Sequence, residues 1–151
     1  MLERPKSSLS IAVDFVRCRP GVAGPGERVQ VAFGQAQYTA MCNPNGGIVD
    51  DLIVYRIAEE DILICVNAAN RTKDYQWMKA HNPFNVEIIN ESDTWAQLAI
   101  QGRHAAAILR KLTEARLPEY YRFTIATVAG VEGCILAGTG YTGEAGYELF
   151  L

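Results

Sequence analysis

The sequence predicts an α+β fold, an antiparallel sheet with two flanking helices. Two observations predict it: apolar segments of strand length are joined by hairpin-length connections, and two further segments carry apolar residues at helical spacing. A third is the bulk composition. At 151 residues the chain fits one domain with a real core, and 49% hydrophobic with 21% charged residues is the profile of a soluble globular protein.

Residues 1–33 predict an irregular arm. Arg17-Cys-Arg-Pro-Gly21 and Gly24-Pro-Gly26 interrupt any regular element there, leaving room for a short strand within Ile11 to Val16 and another near Val29 to Phe33. From Gly34 the texture changes. Gln37 to Asn43 reads as a strand, and Asn45-Gly46-Gly47 supplies the positive φ angles of a tight turn into a second strand, Ile48 to Ile57. Ile62 to Val66 is short and wholly apolar, which places it centrally in the sheet. Asn70 is a plausible N-cap for a helix running to about His81, with Tyr75 and Met78, and Trp77 and His81, three and four apart. Asn85 to Asn90 and Thr94 to Gln101 read as strands paired around Glu91-Ser-Asp93. Arg103 to Thr113 is a second helix, striped by Ala105, Ile108, Leu109 and Leu112. Tyr120 to Ile125, Val131 to Ala137 and Tyr147 to Leu151 complete the strands. This succession resembles a ferredoxin-like unit with an added strand. No internal repeat or low-complexity segment is present.

Several functions are excluded early. Net charge is −3 and the basic residues are scattered, so nucleic acid has no electrostatic footprint. No apolar run approaches the roughly 20 residues that span a bilayer. Cys18, Cys42, Cys65 and Cys134 form no C-x-x-C, and only His81 and His104 could assist them. That spacing argues against zinc or a disulfide scaffold and suits reduced thiols in a cytoplasmic protein. Glu3 and Asp14, without a long apolar core, argue against a targeting peptide.

Within the second strand, alternation sends neighbouring side chains to opposite faces. Asp50 and Asp51 therefore cannot share a proton. Asp51 falls with Val49, Ile53, Tyr55 and Ile57; Asp50 falls with Ile48, Leu52, Val54 and Arg56. Both faces are mostly apolar, so one aspartate is expected in a partly dry site, where lost hydration raises its pKa. An Asp beside a turn also serves simply to bind local backbone amides. The residues alone leave Asp51 a candidate.

Gly138-Thr-Gly-Tyr-Thr-Gly143 matches G-x-G-x-x-G after a strand, but no helix begins there, and a Walker-type Gly-Lys-Ser/Thr is absent. A dinucleotide site is not predicted. The glycines either permit tight turns or shape a backbone wall around a flat ligand, with Tyr141 offering a ring and hydroxyl. Glu148 shares its strand face with Phe150 and needs a partner there, such as the paired donors of a 2-amino-pyrimidinone ring.

Longer blocks carry a resemblance. Gly34-Gln-Ala-Gln-Tyr-Thr-Ala-Met-Cys-Asn, Gly46-Gly-Ile-Val-Asp-Asp-Leu-Ile-Val-Tyr-Arg, Val66-Asn-Ala-Ala-Asn, Lys73-Asp74, Gln97-Leu-Ala-Ile-Gln-Gly and Gly140-Tyr-Thr-Gly-Glu resemble the aminomethyltransferase family, the T-protein of the glycine cleavage system, across residues 34–151. The resemblance implies transfer of an aminomethyl carbon from the lipoyl arm of H-protein to tetrahydrofolate, with release of ammonia. It implies Asp51 as the catalytic residue, orienting or activating a folate nitrogen, with Asp50 structural. Tyr55, roughly 13 Å along the same face by strand rise, would wall the folate pocket. Leu63, Cys65 and Asn67 would line it, and Tyr141 and Glu148 match pterin-contacting positions.

Departures accompany the match. Residues 1–33 lack the family's Asp-Val-Ser-His-Met-like segment. Gly138 and Ala145 stand where many members have Arg and Asp, and Arg103 follows Gln101-Gly102 where Pro is usual. The resemblance implies a truncated chain with an incomplete folate-binding domain. The alternatives are the folate-binding part of a sarcosine- or dimethylglycine-oxidising enzyme, an iron–sulfur assembly factor, or a non-catalytic folate-binding module.

Overall fold

A computed structural model describes residues 31–83 and 86–151, and the backbone of residues 15–19. The expected single domain divides into two compact units, one of residues 13–95 and one that includes residues 96–151. The α+β class with antiparallel sheets holds, but the strands are shared between two sheets rather than gathered in one.

The first unit is a five-stranded sheet of β1 (Phe15–Arg19), β2 (Ala36–Cys42), β3 (Ile48–Ala58), β4 (Asp61–Cys65) and β5 (Glu87–Asn90), in the order β2-β3-β4-β1-β5. The β2–β3 hairpin forms as its turn chemistry dictates. Gly46 takes φ +83°, and the Asn43 side-chain carbonyl accepts hydrogen bonds from the Asn45 and Gly47 amides, both at 3.0 Å. β4, with its apolar Ile62 to Cys65 run, lies centrally, as that composition predicts.

The expected irregular arm is corrected here. β1 inserts between β4 and β5 and runs antiparallel to both, with Val16 opposite Ile64 and Asn90. Arg17, Cys18 and Arg19 lie within the strand rather than interrupting it. The remaining N-terminal strand expectations lie at residues 11–14 and 29–30, outside the described residues, and 31–33 form no strand. Because β1 opposes both neighbours, β4 and β5 are mutually parallel. The helix α1 (Arg71–Ala80) joins them, giving a split β-α-β unit. It packs on the Leu52 and Val54 face of β3, where Leu52, Val66, Met78 and Ile88 form the core with Ile64 and Tyr75 against them.

The second unit is a four-stranded sheet of β6 (Gln97–Gln101), β7 (Phe123–Val128), β8 (Val131–Ala137) and β9 (Gly146–Phe150), ordered β6-β9-β8-β7. The expected pairing of the strands flanking Glu91 to Asp93 does not occur. β5 pairs with β1 and β6 with β9, and the chain between them takes a 3₁₀ turn at Ser92–Thr94. The second helix is shorter than its stripe suggests, α2 (Ala105–Leu109). Leu109, Val128, Cys134, Leu136 and Leu149 make this core. Among the described residues no helix is long and apolar enough to cross a membrane.

Leu136 is fully buried and Ile108 is 41% exposed. Urea unfolding should show Leu136→Ala costing about 2–5 kcal/mol and Ile108→Ala less than about 0.5 kcal/mol. Equal costs would contradict this placement of the core.

Candidate functional site

The β3 alternation separates the two aspartates as expected. Asp50 is buried and Asp51 exposed. The β2–β3 register sets Ala40 opposite Asp51 and Tyr38 opposite Ile53, so Tyr38 lies diagonally from Asp51 on the same face. Its hydroxyl donates to Asp51 Oδ2 at 2.8 Å. The other oxygen, Oδ1, accepts from Asn67 Nδ2 at 3.2 Å. That amide also donates to the Asp51 carbonyl at 3.1 Å and to Asp50 Oδ1 at 3.0 Å. Asn67, two residues past the end of β4, ties the two aspartates together. The acceptance by Asp51 raises the Tyr38 pKa, because losing the phenolic proton would forfeit the bond and set two anions together.

Ile53 opposes Cys65 and Tyr55 opposes Leu63 across β3 and β4. Paired residues share a face, so Asp51, Tyr55, Leu63 and Cys65 all project from the face opposite α1. Of these, Tyr55 and Leu63 are completely buried, and Cys65 is half-buried.

The dry aspartate is Asp50, and its pKa moves opposite to expectation. Burial pushes the Asp50 carboxyl up, but hydrogen bonds with Asp74, Asn70 and Asn67 overcome that and hold it below the usual carboxylate value. Asn70 Nδ2 donates to Asp50 Oδ2 at 3.1 Å, so Asn70 occupies the N-cap of α1 without its side chain capping the helix. Asp74 is the group pushed up. It is fully buried on α1, and burial followed by the Asp50 carboxylate raises it to about 6. Lys73 Nζ comes within 3.5 Å of Asp74 Oδ1, while its short bond, 2.7 Å, goes to the Val49 carbonyl. Among the described residues neither Asp74 oxygen has a well-formed hydrogen bond, a setting that favours the protonated carboxyl. The carboxyl that holds its proton more tightly is thus Asp74 on α1, beside Asp50.

In the second unit, Glu148 is 4% exposed and already has partners. Its Oε1 accepts from Gln97 Nε2 at 2.6 Å and its Oε2 from Thr139 Oγ1 at 2.5 Å. Tyr141 is 59% exposed on the glycine loop. The glycines of that loop make room for a side chain of the protein itself. A Cβ at Gly140 or at Gly146 would overlap the buried Gln101 amide. Gln101 Nε2 donates to the Tyr147 carbonyl at 3.2 Å, and its Oε1 accepts from Thr142 Oγ1 at 3.2 Å. Gly146 lies directly across β9 from Gln101.

Sequence reasoning missed Tyr38, Asp74 and Gln101. Counting the hairpin register from the Asn45–Gly47 turn would have found Tyr38. Helix phase would have found Asp74, four residues before buried Met78.

The family model described as the GCVT N-terminal domain matches residues 26–151. Aminomethyltransferases from Thermotoga sp. (strain RQ2) and Acidobacterium capsulatum are 51% identical over 121 residues and 46% identical over 125. These alignments cover 78% and 81% of this chain and 33% of each relative. The chain thus spans about a third of the length of the curated relatives it matches. Among solved structures, glycine cleavage system aminomethyltransferase T from Bartonella henselae superposes with TM-score 0.78 at 23% identity, covering 97% of this chain and 42% of that one. Heterotetrameric sarcosine oxidase from Corynebacterium sp. U-96 gives TM-score 0.62 at 18% identity, covering 95% and 75%.

Two measurements test this geometry. Asp74 binds its proton more tightly folded than unfolded, so its stabilisation is complete below its unfolded value of 3.8 and is lost as pH rises through about 6. Urea unfolding should show a loss of up to about 3 kcal/mol across that window, flattened in Asp74→Asn; an unchanged slope in the variant contradicts the raised Asp74 pKa. Gly140→Ala should cost about 1–3 kcal/mol in the native background and much less beside Gln101→Ala, where the overlapping amide is gone. Additive costs would show that the loop does not close on Gln101.

Proposed function

Because the chain belongs to the family of the GCVT N-terminal domain, we propose that it serves tetrahydrofolate-dependent aminomethyl transfer in the glycine cleavage system. The donor is the aminomethyl group on the dihydrolipoyl arm of H-protein. Its carbon passes to tetrahydrofolate, ammonia leaves, and reduced H-protein is released. The work is cytoplasmic.

One observation carries the assignment of roles: the exposed Asp51 carboxylate is gripped on both oxygens, by Tyr38 and by Asn67. A carboxylate held this way has one rotamer and a spare lone pair on each oxygen. It can accept a hydrogen bond from a folate N–H, drawing the proton away while the nitrogen attacks the methylene carbon. Positioning is the larger part of that effect. Tyr38, 56% exposed, presents an aromatic ring beside the acceptor, a face on which a flat ring can stack. Tyr55, Leu63 and Cys65, on the same face, are assigned to the folate pocket. Asn67 is assigned there through its hold on Asp51. In the second unit, Glu148 and Tyr141 are assigned to the pterin. Likeness to the sarcosine oxidase concerns fold alone, and the aminomethyltransferases share about twice that identity or more, so amine oxidation is not adopted.

Titration of the purified chain with tetrahydrofolate tests this reading. Glu148→Ala should weaken binding on the order of tenfold or more. Asp51→Asn should lower H-protein-dependent methylenetetrahydrofolate formation by at least about a hundredfold while binding changes little. Binding and turnover that neither substitution alters would remove the assignment.

A further inference from the structure

Glu148 faces Ala99 across β6 and Ala137 across β8, so its strand neighbours offer it methyl groups and no charge. A carboxylate in that setting tends to neutralise itself by binding a proton, and burial does push the Glu148 pKa up. Two donors oppose this. Gln97 reaches Oε1 from β6, two residues from Ala99 on the same face, and Thr139 reaches Oε2 from the residue pair after β8. Both lower the pKa against the larger effect of burial. No ionisable side chain among the described residues contributes to the shift. Thr139 is itself buried, and its carbonyl lies 3.5 Å from Gln101 Nε2, so the hydroxyl is anchored through its own backbone.

We infer that Thr139 and Gln97 are positioning residues that keep the Glu148 carboxylate charged and fixed in a dry site, ready to receive the paired N–H donors of a 2-amino-pyrimidinone edge. Each donor occupies one oxygen and leaves each oxygen a second lone pair, so the carboxylate is oriented without being used up. The ligand half of this inference rests on the function proposed above; the charge on Glu148 does not.

The two halves can be measured separately on the full chain. Carbon-13 NMR of carboxyl-labelled glutamate, with Glu148 identified by the signal lost in Glu148→Gln, gives its titration midpoint. Thr139→Val and Gln97→Leu should each move that midpoint up, on the order of one pH unit, and Thr139→Ser should restore it. Unchanged midpoints in both variants would overturn the inference. Tetrahydrofolate binding, followed against pH in the same proteins, should lose affinity on the acid side at a pH that tracks the midpoint. If the midpoint moves and binding does not follow, the assignment of Glu148 to the ligand falls while its charge control by Thr139 and Gln97 stands.

Discussion

Successive side chains along β3 leave the sheet on opposite sides, and that alternation gives two adjacent aspartates opposite surroundings. Asp50 turns toward the face packed by α1 and meets Asn70 and Asp74. Asp51 turns away and meets Tyr38. Asn67 holds both, so an exposed acid is braced by a buried one. A one-residue slip of β3 against β2 would exchange the two environments, placing the exposed acid against the helix and the buried one in water. The Asn43–Gly47 turn, with its two side-chain hydrogen bonds, guards against that slip.

Much of the fold was legible because the signals were local. Val131–Ala137 was read to the residue, and β2, β3, β4 and α1 to within one or two, since alternation, turn residues and helical spacing speak directly to backbone geometry. What failed was non-local. β1 looked broken by its flanking Pro and Gly, yet its place is set by two edges waiting on either side, β4 and β5. The strands around Glu91 looked like a hairpin because they were adjacent in sequence, whereas each had a better partner elsewhere. The division into two sheets was invisible for the same reason.

For the candidate site, alternation placed Asp50 and Asp51 on opposite faces and Asp51 with Tyr55, as the structure has them. The electrostatics were not readable. Burial predicted a raised pKa for one of the pair, but the sign at Asp50 depends on donors contributed by Asn67 and Asn70, and the raised group is Asp74 from another element. Similarly, Gly140 and Gly146 suggested space for a ligand, and the occupant is Gln101. A buried charge or an absent Cβ signals that something must be nearby; only tertiary structure says what.

The insertion of β1 also has a temporal side. Its partners on one side are Ile62 to Cys65 and on the other Glu87 to Asn90, far downstream in the chain. During synthesis the β2–β3–β4 meander can zip up from contacts between neighbours, but its β4 margin must stay open until the earlier segment folds back onto it. Closing so long a loop is the slow step that contact order penalises, and an uncapped strand margin is the kind of surface on which nascent chains stick together. Until β1 docks, the inner margin of β4 therefore stays unpaired.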